Sequence, residues 1–124
     1  MPTEQYHEPA DELPPETRTY ARLITSLIEE AEAIGWYDQR LAIEPDAEAR
    51  EIMQDAQGEE FKHFSMDLEF LLRRTPKWRE IARGVLFQAG DIVEHGEAAE
   101  AEAGGEGAPG TGSGEGSLGI GSLR

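Results

Sequence analysis

The sequence has 124 residues, 38% of them apolar, no cysteine and a formal net charge of −15, with an isoelectric point near 4.4. That length suits one small domain, and the missing thiols exclude both a disulfide framework and a thiolate metal site. So acidic a surface disfavours nucleic acid and anionic membrane as partners and favours cations or a basic protein surface. No apolar run approaches the roughly 18 residues of a membrane helix. The opening MPTEQYHEPADELPPE has neither the basic nor the apolar region of a secretory signal.

Residues 1–15 are polar and carry Pro2, Pro9, Pro14 and Pro15, which predicts an irregular, mobile arm. Pro14, Pro15 and Glu16 suit a helix start. The first helix is expected over about residues 16–43, with Tyr20, Leu23, Leu27, Ile34, Tyr37 and Leu41 recurring at three and four. Glu30 is the one charged residue on that seam. Gly35 weakens the helix by about 1 kcal/mol relative to Ala and suggests close approach of another backbone. Glu44 before Pro45 ends it.

A second helix is expected from Pro45 or Asp46 to Arg74. Glu60 lies inside its apolar arc of Met53, Ala56, Phe64 and Leu71, and Phe61, Met66, Leu68, Phe70 and Leu72 add further apolar surface. The connecting loop is short, so the two helices form an antiparallel hairpin. Thr75-Pro76 breaks the chain, and a third helix is expected over residues 76–87, ending by Gly90. A shorter helical patch over 91–102 follows. The domain organisation read from composition is an arm (1–15), a helical domain (16–95), a glycine-rich linker (96–116) and a terminal segment (117–124). That last segment, SLGIGSLR, begins at Ser117, closes with Arg124 and restores aliphatic residues after a spacer without large ones.

Glu60 and His63 are three apart, so one helix face presents both. A buried carboxylate needs a charged partner. Ferritin-like di-iron bundles take a Glu from each of two helices and a Glu-x-x-His from each of the other two. This hairpin supplies half of that set: Glu30, Glu60 and His63. His7 and His95 lie outside it. Two chains meeting face to face would complete a four-helix bundle around a pair of cations, and carboxylates with imidazole suit non-haem iron. The ordinary alternative pairs Glu60 with a basic residue, Arg40 being the candidate, and leaves His63 as a satisfied core residue. Tyr37, on the Glu30 stripe, is either a core aromatic or a neighbour of the metals, and Trp36 is read with it. Glu29 and Glu32 are either a solvated face or an acidic mouth that draws in Fe²⁺.

The run Glu29-Glu30-Ala31-Glu32-Ala33-Ile34-Gly35-Trp36-Tyr37-Asp38-Gln39-Arg40 resembles the first-helix signature of the encapsulated ferritins. Glu59-Glu60-Phe61-Lys62-His63 resembles their second-helix motif, and the ending resembles their encapsulin cargo-loading peptide. The resemblance covers about residues 16–90 and the tail. It implies an all-α half-ferritin: a two-helix hairpin, a short third helix and a disordered tail, with the bundle completed by dimerisation. It implies an annular homodecamer and a ferroxidase that oxidises Fe²⁺ with O₂ at an inter-subunit di-iron centre. The product would be stored in the lumen of an encapsulin nanocompartment in a bacterial cytoplasm. By position it assigns Glu30, Glu60 and His63 as metal ligands, Trp36 and Tyr37 as the adjacent aromatic pair, and Glu29 and Glu32 as the acidic entrance. Choosing iron over manganese or zinc rests on this resemblance. Two other readings stand beside it. One is a rubrerythrin-like di-iron redox enzyme, although that type usually adds a cysteine site. The other is a non-enzymatic helical scaffold or cargo adaptor whose buried acids set register.

Overall fold

The computed structural model describes residues 4–104. They form a 3-10 turn, Ala10–Glu12, and four α-helices: α1 (Pro15–Ile43), α2 (Ala47–Arg74), α3 (Pro76–Val85) and α4 (Ile92–Gly104). No strand occurs among the described residues, so the chain is all-α. The terminal segment 117–124 and most of the glycine-rich stretch lie outside them. The chain divides into two compact units, Met1–Leu71 and Leu72–Arg124.

In the first unit, α1 starts at Pro15 behind an extended Pro14. A proline at the first helical position lacks only an N–H that would have no partner inside the helix. The Arg18 guanidinium reaches back to the carbonyls of Ala10 and Leu13 and ties the 3-10 turn to the helix. The arm expected to be irregular thus carries ordered structure at its end. Glu44 is extended, as a residue before proline should be, and α1 ends at Ile43. Asp46 caps α2, its Oδ2 accepting the Ala49 N–H at 2.8 Å.

Cross-links between the two helices fix their direction. Arg50 donates to the carbonyls of Leu41 and Glu44, which serves acceptors left over at the end of α1. Further on, Gln57 Nε2 donates to the Ile34 carbonyl at 3.0 Å. The numbers rise along α2 while they fall along α1, so the hairpin is antiparallel. Its seam residues Tyr20, Leu23, Leu27, Ile34, Tyr37 and Leu41 are all half-buried, and Glu30 shares that state. A methyl group added at Gly35 would meet nothing within 4 Å, so the close backbone approach expected there does not occur within one chain.

The hairpin alone has little core. Among the described residues only Leu71, Leu72, Thr75 and Ala99 are buried. Trp36, Ile43, Ile52, Phe61 and Met66 are exposed. Phe61 and Met66 therefore do not enclose Glu60 and His63 as the sequence suggested; on a helix they point away from the face that meets α1.

In the second unit, α3 ends at Val85, two residues before the expected limit. Phe87 takes φ 62°, a left-handed conformation that helix geometry cannot accommodate, and Gly90 takes φ 103°. Asp91 then caps α4, its Oδ1 accepting the Glu94 N–H at 2.9 Å. Helix α4 runs to Gly104, well into the stretch read as linker from residue 96. Ala98, Ala99, Ala101 and Ala103 with Glu97, Glu100 and Glu102 favour helix, and together they outweigh Gly96. Helices α3 and α4 pack together. Their backbones approach closely at Gly84, where a Cβ would lie 2.7 Å from that of Ala99.

Candidate metal centre

Helix periodicity places Glu60, His63 and Asp67 on one face of α2, at spacings of three and four. The antiparallel register brings Glu30 of α1 opposite them. One donor atom each from Glu30, Glu60 and His63 lies within 4.8 Å of the others, the single such carboxylate–imidazole cluster among the described residues. His63 Nδ1 is 3.8 Å from Glu60 Oε1. Three donors at that separation can close on one divalent ion.

The alternative partners are engaged elsewhere. The Arg40 guanidinium lies over the Tyr37 ring, 5.2 Å from its centroid. Lys62 pairs with Glu59 at 2.9 Å, and that ammonium holds the Glu59 carboxyl below the usual range. Glu30 has no such relief. Burial, then the hydrogen bond and charge of Asp67, then the charges of Glu60 and Glu29, push the Glu30 carboxyl up to about 7. Its Oε1 is shielded from water without a hydrogen-bond partner, and so is Asp67 Oδ2. Orphaned buried acceptors of this kind demand an explanation, and a cation among them supplies one. The donor set therefore fits a metal.

The cluster faces out of the single chain: the His63 side chain is 43% exposed and that of Glu60 25%. Of the other residues singled out from sequence, Tyr37 is half-buried on α1, two turns beyond Glu30 and about 10 Å along the axis. Trp36 is 51% exposed. Glu29 and Glu32 are exposed, and neither belongs to the cluster, although the Glu29 charge acts on Glu30. Asp67 was missed. Its signal was present, since it stands four residues beyond His63 and seven beyond Glu60.

An all-helical chain with a long antiparallel hairpin and a Glu, Glu, His cluster on its open face belongs to the ferritin-like class. The EncFtn-like family matches residues 5–89, and the chain belongs to that family. It is 42% identical over 91 residues to a "Ferritin-like protein" of Thermotoga maritima, which spans 73% of this chain and 80% of that one. It is 44% identical over 86 residues to an "Encapsulated ferritin-like protein" of Rhodospirillum rubrum, covering 69% of this chain and 61% of the relative. The crystal structure of protein ne0167 from Nitrosomonas europaea superposes with a TM-score of 0.69 at 37% identity, over 72% of this chain and 98% of the other.

Proposed function

We propose that the chain is a ferroxidase that oxidises Fe²⁺ with O₂ at a di-iron centre built by two copies, and that it works as cargo of an encapsulin shell. The observation that carries the reading is the convergence of Glu30, Glu60 and His63, with Glu30 Oε1 buried and unpartnered. Fe²⁺ is the substrate, and its electrons pass to O₂. The carboxylates would bind the ions and offset their charge, His63 would add a neutral nitrogen donor, and so small a donor set would leave coordination positions open. Two features support a shared site. The cluster is half-exposed in a single chain, and the same hairpin leaves Trp36, Phe61, Ile52 and Met66 uncovered. A second copy laid over the cluster would cover it and bring the second Glu, Glu, His set, and the uncovered apolar side chains leave surface for further contacts between copies. Closure into a decameric ring is the assembly that the family resemblance implies.

Glu29 and Glu32, exposed beside Glu30, serve as the acidic approach for Fe²⁺. Tyr37 and Trp36 form the aromatic border of the centre in the assembled pair. Shell association rests on the name of the Rhodospirillum rubrum relative and on residues 117–124. Aliphatics at the end of a long spacer suit tethered docking in an apolar groove. The test compares aerobic Fe²⁺ oxidation by the parent with that by Glu60→Ala and by a chain lacking residues 117–124. The proposal expects the first variant to lose oxidation and the second to keep it while losing shell loading. Parent-like oxidation by Glu60→Ala would remove the site assignment, and equal loading of the truncated chain would remove the tail assignment.

A further inference from the structure

Asp67, half-buried with one oxygen shielded from water, stands outside the Glu30, Glu60, His63 set. Asp67 sits one helical turn beyond His63, within hydrogen-bonding reach of Glu30 across the hairpin. Glu30 Oε1 and Asp67 Oδ2 are each sealed from water with no hydrogen-bond partner. Apart from His63 itself, the adjoining turns hold no basic residue: Phe64, Phe70 and Leu71 flank Asp67, while Ser26, Leu27, Ala33 and Ile34 flank Glu30. Burying two carboxylates together without a cation is costly. Two carboxylates on facing helices can serve together as donors to one small divalent ion.

We propose that Asp67 is a third cation-binding carboxylate, and the fourth donor, of each chain, taking its ion together with Glu30. Asp67 stands outside the mutually close Glu30, Glu60, His63 set, so it engages on the Glu30 side. Glu30 is then the shared ligand, between Glu60 and His63 on one side and Asp67 on the other. A pair of chains brings six carboxylates and two imidazoles to the centre. This proposal rests on reading Glu30, Glu60 and His63 as metal donors.

Anaerobic calorimetric titration with Fe²⁺, and with Co²⁺ followed by its ligand-field absorption, tests it on the full chain. Asp67→Asn keeps the shape, removes the charge and offers Glu30 an amide donor. The expected result is an Fe²⁺ affinity lowered about 10- to 100-fold, a changed Co²⁺ spectrum, and a metal-free melting temperature at or above that of the parent. Asp67→Ala should show the same affinity loss, and Asp67→Glu should recover part of it. Parent-like affinity and an unchanged Co²⁺ spectrum in Asp67→Asn or Asp67→Ala, while Glu60→Ala loses binding, would overturn the Asp67 role alone. A parent that binds neither ion would overturn it together with the site on which it rests.

Discussion

Glu30 and Asp67 meet across the α1–α2 hairpin, each with one carboxylate oxygen shielded from water and unpartnered. The contact has a sign in pH. The Glu30 pKa is raised from 4.5 to about 7, chiefly by burial and then by Asp67. The folded chain therefore holds this proton more tightly than the unfolded chain. Its contribution to the stability of the metal-free protein is greatest below about 4.5 and declines as pH rises towards 7. Thermal melts in chelator across that window should show the decline, and Glu30→Gln should flatten it.

Metal binding should run the other way. Ions compete with the proton on Glu30, so apparent Fe²⁺ or Co²⁺ affinity should climb as pH rises towards about 7 and level off above it. Glu30→Gln should lose most of the affinity at every pH. Titrations in buffers spanning that range check both statements.

Assembly should depend on the exposed face of the hairpin. Phe61 is 52% exposed and lies beside Glu60. Phe61→Asp should shift the protein to smaller species in light scattering and weaken metal binding, because each chain then keeps only its own donors. Chelator should act in the same direction on the parent, by linkage between binding and association.

The second unit offers a test of packing independent of metal. Gly84→Ala would place a methyl 2.7 Å from the Ala99 Cβ, and neither atom can rotate away. Overpacking of this kind costs about 1–3 kcal/mol, partly offset by the roughly 1 kcal/mol of helix propensity gained. Faster hydrogen exchange of the α4 amides, with little change at α1, is the expected result.

The turn between α1 and α2 rests on Arg50 and Asp46. Arg50→Ala removes charge-assisted bonds to the Leu41 and Glu44 carbonyls. Asp46→Ala removes the cap on Ala49. The first should destabilise by about 1.5–3 kcal/mol and the second by about 1 kcal/mol, as read from chemical denaturation.

Much of this centre was legible because its signals are local. Glu60 and His63 share one helix, so their spacing alone brings them together. Glu30 showed as the one acid in an aliphatic seam. Asp67 obeyed the same periodicity, but it stands among Met66, Leu68 and Phe70 and reads as the edge of an apolar run. Only the register between helices shows that it meets Glu30. The end of α3 was not legible because Phe87 adopts a left-handed conformation that its residue type disfavours. The helix expected over 91–102 is α4, Ile92–Gly104, but glycine counting put the start of the linker too early, at Gly96, inside an alanine–glutamate stretch that propagates helix regardless. The role of Gln57 depends on which α1 carbonyl faces it, and no spacing within α2 encodes that.

Native mass spectrometry of the protein loaded with Fe²⁺ under anaerobic conditions addresses the shared centre most directly. The account predicts assemblies with an even number of chains, holding iron in proportion to chain pairs, and loss of both iron and pairing in His63→Ala. A monomer that retains iron, or pairs that persist unchanged and iron-free in the parent, would contradict it.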